Sequence, residues 1–188
     1  TLFEEKNITT LTPIQEALFE PITKGQNVLG ISPTGTGKTL SYLLPLLLKL
    51  QPKKAQQLLI LSPNSELAGQ LFEVSKTWAE PLGLQAQLFL SGSSQKRQIE
   101  RLKKGPEILI GTAGRIFELV KLKKIKMMKV DTIVLDEFDE LLSDSQYNFV
   151  TKICHYVPRN HQMIYISATQ KIAQHALADE TVRIDLSD

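Results

Sequence analysis

Short apolar runs separated by polar loops set the hydrophobic pattern of this chain. Asn27–Ser32, Leu58–Ser62, Ala86–Leu90, Ile108–Gly111, Thr132–Leu135, Met163–Ile166 and Val182–Leu186 are each strand-length and mostly apolar. Runs of this kind read as strands covered on both faces rather than on one. Stretches with helical spacing lie between them. The first begins at Thr12-Pro13-Ile14-Gln15-Glu16, with Thr as N-cap and Pro at the first helical position. It is predicted to reach about Ile22, with Leu18, Phe19 and Ile22 on its apolar side and Gly25 as its end. Further helices are predicted over Leu40–Leu50, where Pro45 should introduce a kink, and from Pro63 to about Trp78. Leu67, Leu71, Val74 and Trp78 give the latter its buried stripe. Gln95–Lys104 reads as a short exposed helix with Ile99 and Leu102 inward. The last two start near Gly114, burying Ile116, Leu119 and Val120, and near Tyr147.

This alternation predicts one α/β domain, with a mostly parallel sheet of about seven strands and helices on both faces. In such sheets ligands sit beyond the carboxyl ends of the strands. Ser32, Pro63, Gly92, Thr112, Asp136 and Ser167 all fall at or just past predicted strand ends, so their loops should form one site.

The chemistry begins at Val28–Thr39. A buried strand enters Ser32-Pro33-Thr34-Gly35-Thr36-Gly37-Lys38-Thr39, and a helix leaves it, which is the setting of a phosphate-binding loop. Thr34, Gly35, Thr36 and Gly37 would wrap backbone N–H groups around phosphate oxygens, and the helix N-terminus would add partial positive charge. Lys38 would neutralise the β and γ phosphates, and the Thr39 hydroxyl would hold Mg²⁺. The strict pattern places Gly at position 32, where this chain has Ser32. Asp136-Glu137 follows the apolar run Ile133-Val134-Leu135. There Asp136 can serve Mg²⁺, and Glu137 can orient and deprotonate an attacking water. Ser167-Ala168-Thr169, at another strand end, sets two hydroxyls where they could bond Asp139.

Composition narrows the setting only slightly. The 188 residues carry a net charge of +2, which neither demands nor excludes a nucleic-acid partner. The basic run Lys121–Lys129 reads as a solvated linker with its apolar members tucked inward, in preference to a nucleic-acid patch. Cys154 is the single cysteine, which together with the lack of a secretory signal suits a cytoplasmic protein. The longest apolar run is too short for a bilayer. A chain opening at Thr1 reads as a fragment.

In order and spacing, these segments resemble the N-terminal RecA-like domain of DEAD-box RNA helicases along nearly the whole chain. The resemblance rests on Thr12–Gln15, Ser32–Thr39, Pro63–Gln70, Ser91-Gly92, Thr112–Arg115, Asp136–Asp139 and Ser167–Thr169. It implies a P-loop NTPase that binds ATP with Mg²⁺ and, with a second RecA-like domain absent from this chain, hydrolyses it to separate short RNA duplexes. Residues 1–20 would then be an adenine-recognition segment, with Gln15 reading the base edge. Lys38, Asp136 and Glu137 would be the catalytic group. One RNA strand would be gripped at Pro63, Asn64, Ser65, Gly92, Thr112, Gly114 and Arg115. Asp139, Ser167 and Thr169 would couple nucleotide state to strand separation, and the protein is expected to be a monomer. This sequence has Phe138 where the family has Ala, Asn64-Ser65 for Thr-Arg, Ala113 for Pro and Asn7-Ile8 for Gly and an aromatic. The competing readings are a helicase-like RNA- or protein-binding module with little or no turnover, and a small-molecule kinase sharing the phosphate loop.

Overall fold

The computed structural model describes residues 11–33, 37–158 and 160–186. Thr34, Gly35, Thr36 and residues 1–10, including Asn7-Ile8, lie outside them. Seven strands, β1 (Val28–Ile31), β2 (Leu58–Ser62), β3 (Ala86–Phe89), β4 (Ile108–Thr112), β5 (Thr132–Leu135), β6 (Gln162–Ser167) and β7 (Val182–Asp185), form one sheet. Its order is β3-β4-β2-β5-β6-β1-β7, and every pairing is parallel. Seven helices cover it: α1 (Pro13–Thr23), α2 (Lys38–Leu47), α3 (Ser65–Ala79), α4 (Gln95–Lys103), α5 (Ala113–Lys121), α6 (Phe138–Ser143) and α7 (Tyr147–Cys154).

Successive strand residues face opposite sides of the sheet and bury two separate cores. Val28, Leu58, Ile60, Ile110, Val134 and Ile164 pack under α1, α2 and α3. Leu29, Leu59, Leu61, Leu109, Ile133 and Met163 pack under α5, α6 and α7. This doubly covered sheet is why the strands read as continuous apolar runs. Thr12 caps α1 as expected, in a capping box completed by the Gln15 side chain.

Several expectations are corrected. Phe19 does not join Ile14, Leu18 and Ile22 in the core but is 40% exposed, because those three already fill the narrow stripe over β1. Gln56 and Gln57, in the polar stretch ahead of β2, are buried as well. Gln57 Nε2 donates to the Gln51 carbonyl (2.8 Å), and Gln56 Oε1 accepts from the Lys126 N–H (2.6 Å), so these amides hold the loops at the amino ends of the strands. In the basic run only Ile125 and Met127 turn inward, while Leu122 and Met128 face solvent. Among the described residues no helix is long and apolar enough to cross a membrane.

Candidate functional site

Because all pairings are parallel, every strand points its carboxyl end to the same edge, and the predicted loops meet there. Strand order sorts them further. β5, β6 and β1 are neighbours, so Asp136, Ser167 and Ser32 lie side by side. β3, β4 and β2 are neighbours on the other half, bringing Gly92, Thr112 and Pro63 together. Sheet topology thus divides one edge into a half bearing the phosphate-loop and acidic residues and a half bearing small polar residues.

On the first half, the Ser32 N–H donates to the Ser167 carbonyl (3.1 Å), and the Asp136 N–H donates to the Leu61 carbonyl (3.0 Å). Gly37 N-caps α2 with φ +77°, a conformation suited to glycine. A Cβ there would lie 2.7 Å from Gln15 Nε2, so the Gln15 side chain would have to shift. Gln15 is itself doubly engaged: Oε1 accepts from the Thr12 N–H (3.0 Å), and Nε2 donates to the Gly37 carbonyl (3.4 Å). It ties the start of α1 to the start of α2.

Lys38 and Thr39 open α2. The Lys38 Nζ is buried and has no hydrogen-bond partner among the described residues. Two carboxyls act on it electrostatically. Burial first, then Glu137, pushes Asp136 up to about 7, with Lys38 pulling the other way. Burial also raises Glu137, again opposed by Lys38. Glu137 holds its backbone at φ 49°, ψ 51°, in the left-handed region, and N-caps α6 there without a side-chain bond. A non-glycine residue in that region costs about 1 kcal/mol or more, and such strain concentrates at functional sites. Tyr42, one turn beyond Lys38 on the same helix face, is fully buried. Burial and then Asp136 push its phenol well above the tyrosine range. Sequence reading missed Tyr42, although its spacing from Lys38 was a signal.

Phe138 does not stand beside the carboxylates. It is fully buried beneath them, with its ring 4.8 Å from Tyr165 and 6.4 Å from Tyr147 between centroids. The expected bond from Ser167 or Thr169 to Asp139 is not formed. The Ser167 hydroxyl donates to the Thr169 carbonyl (2.9 Å), Thr169 Oγ1 accepts from the Lys171 N–H (3.2 Å), and Asp139 Oδ1 is buried without a partner among the described residues.

On the other half, Asn64 N-caps α3, its Oδ1 accepting from the Leu67 N–H (2.9 Å), with Ser65 exposed beside it. Pro63 is buried, and Gly92 sits exposed at φ +86°. Thr112 precedes α5 with a buried hydroxyl that has no partner among the described residues. The Gly114 N–H is already taken by Gln146 Oε1 (3.0 Å). Arg115 is not presented outward: it is 8% exposed and donates to the Ser93 carbonyl (3.0 Å) and Gln98 Oε1 (3.0 Å). Its place here is beneath the Ser91–Ser94 loop, as that loop's anchor. Gln98 and Gln146, the partners that fix these loops, gave no signal in sequence.

Among the described residues no three His, Cys, Asp or Glu side chains converge on a metal position. Thr39 and Asp136 could supply at most part of a magnesium shell, which phosphate and water oxygens would have to complete.

Comparison with known families adds the deciding observation. The model of the DEAD/DEAH box helicase family matches residues 12–177. The chain belongs to that family. A probable ATP-dependent RNA helicase, YfmL of Bacillus subtilis, is 44% identical over 161 residues, covering 85% of this chain and 43% of its own length. The DEAD-box ATP-dependent RNA helicase CshC of Bacillus cereus is 39% identical over 186 residues, covering 98% of this chain and 48% of its own. This DEAD/DEAH box domain therefore spans less than half the length of these relatives. Its seven-stranded parallel sheet is the N-terminal RecA-like fold.

Proposed function

We propose that this domain binds ATP with Mg²⁺ on the β5-β6-β1 half of its edge and one RNA strand on the β3-β4-β2 half. Completed by a second RecA-like domain, it hydrolyses ATP to separate short RNA duplexes. The observation that carries this reading is the buried Lys38 ammonium, without a hydrogen-bond partner among the described residues and within electrostatic reach of Asp136 and Glu137. A buried ammonium without hydrogen-bond acceptors is unfavourable, and the γ-phosphate of a nucleotide on the Gly37–Lys38 turn would supply them.

Lys38 would bond the β and γ phosphates, supported by the N-terminus of α2. Thr39 and Asp136 would hold Mg²⁺, which would spread the phosphate charge. Glu137 would orient the attacking water and take its proton as the water oxygen bonds the γ-phosphorus and the bond to the β-phosphate oxygen breaks. A carboxylate raised by burial is the stronger base for that step. Arg101, Arg115 and Arg183 are spent on carbonyls of this domain, and Arg97 lies on α4 after β3, at the end of the sheet away from β1, which supports a second domain as the source of transition-state arginines.

The test is RNA-stimulated ATP hydrolysis by the chain joined to the rest of its protein. Glu137→Gln should keep nucleotide binding and lose about 10²-fold or more in turnover. Lys38→Ala should lose both. Absence of turnover in the parent protein would instead favour a binding module.

A further inference from the structure

The near-neutral total charge hides a strong segregation. Residues 94–130 hold eleven Lys and Arg against three Glu, a net of +8, so the remaining residues carry −6. The three acids do little to offset it. Glu118 faces Arg115 (3.3 Å), Glu107 is buried and accepts from the Gln85 N–H (2.8 Å), and only Glu100 stands among exposed cations, pairing with Lys103 (3.0 Å). The connection from α5 to β5 concentrates this charge at the amino ends of the strands, the edge opposite Lys38 and Gly92.

Two clefts open there. One, of about 430 Å³, is lined by Lys121, Lys123 and Lys126 together with Met128 and Tyr156. The second, of about 220 Å³, continues from the shared Lys123 and Lys126 to Lys103 on α4. Met128 is 77% exposed and Tyr156 51% exposed. Among the described residues Lys121, Lys123 and Lys126 have no ion-pair partner.

We infer that this flank is a second contact for single-stranded RNA, with phosphates on Lys121, Lys123 and Lys126 and an unpaired base stacked on Tyr156 against Met128. The inference rests on the RNA-acting function proposed above. Cations interleaved with an exposed aromatic are the chemistry that holds single strands, the cations tracking the backbone and the ring accepting any base. A cleft favours a base over a lipid surface, because a bilayer cannot enter a concave site, whereas a flipped-out base can. A duplex would hide its bases from Tyr156, so the strand is an unpaired one flanking the duplex engaged at the carboxyl edge.

The experiment titrates a fluorescent oligouridine with the 188-residue chain across a salt series, without nucleotide. The triple variant Lys121→Gln/Lys123→Gln/Lys126→Gln should bind about tenfold or more weakly, with the salt slope reduced by about 2, since each single-strand phosphate contact contributes about 0.7. Tyr156→Ala should lose about fivefold or more with the slope unchanged, as removal of one stacked base predicts. Both variants should bind a fluorescent ATP analogue as the parent does, and 4-thiouridine RNA should crosslink to Tyr156. Unchanged affinity and slope in the triple variant, crosslinks confined to residues 63–65 and 112–114, or capture of anionic vesicles in place of RNA would each overturn the inference. Failure of the parent to bind the ATP analogue would count against the nucleotide site alone.

Discussion

Asp136 titrates near 3.8 in an unfolded chain and is pushed up to about 7 by burial and by Glu137 when folded. Between those values the folded state holds the extra proton. Its contribution to stability is therefore complete below pH 3.8 and is lost as pH rises through 7. Asp136→Asn should stabilise the nucleotide-free chain at pH 7.5 by roughly 2–4 kcal/mol, since each tenfold change in proton affinity is worth about 1.36 kcal/mol. The gain should shrink towards zero near pH 4. Urea melts at the two pH values check this, and an equal gain at both would refute it. Phe138→Ala would open a cavity between Tyr165 and Tyr147, costing about 3–5 kcal/mol in the same assay. The meeting of Lys38, Asp136 and Glu137 at one edge was legible in sequence because their motifs end neighbouring strands of a parallel sheet. The direction of a side chain was not. Arg115 read as site-facing yet binds a loop from beneath, and Phe138, next to Glu137 in sequence, fills the core.

Elements were legible wherever burial alone decided them. Thr132–Leu135 and Leu58–Ser62 are the strands expected, because a doubly covered strand has no polar position to blur its limits. Helix α6 was missed, since its single buried turn behind an acidic loop is too short to show a period. Buried amides were equally silent. Gln162 Nε2 donates to the Gln26 carbonyl (2.8 Å) while its Oε1 accepts from Lys49 (2.9 Å), yet glutamine at a strand start reads as surface. The loop before α4 depends on such contacts. Arg115 reaches Ser93 and Gln98, and Gln98 Nε2 donates to the Leu90 carbonyl (2.9 Å). Arg115→Met should cost about 1–3 kcal/mol, because a buried amide oxygen and a part-buried carbonyl lose a charged donor. Amide exchange should quicken over residues 91–98 and leave β1 and α2 as protected as before. Loss of protection across the whole sheet would mean that Arg115 supports far more than one loop.

At the scale of the molecule, two halves of one edge carry the proposed nucleotide and RNA contacts, and Arg101, Arg115 and Arg183 are engaged within the domain. The isolated chain is accordingly expected to bind ATP weakly and to unwind nothing, which a duplex-displacement assay with residues 1–188 would check. Detectable unwinding by the chain alone would count against the need for a second domain.

Strand order has one more consequence, for synthesis. β1 lies between β6 and β7, pairing Val28 with Ile164 and with Val182. A nascent chain therefore carries its first strand without a neighbour until residues some 135 positions later have left the ribosome. The turn bearing Lys38 is encoded early and assembled late. During that interval an unpaired apolar strand is exposed, the kind of segment that chaperones retain and that otherwise aggregates. A chain ended at His161 should then fail to bind ATP although it contains Lys38, Thr39, Asp136 and Glu137, and nascent chains should become protease-resistant only once β6 has emerged.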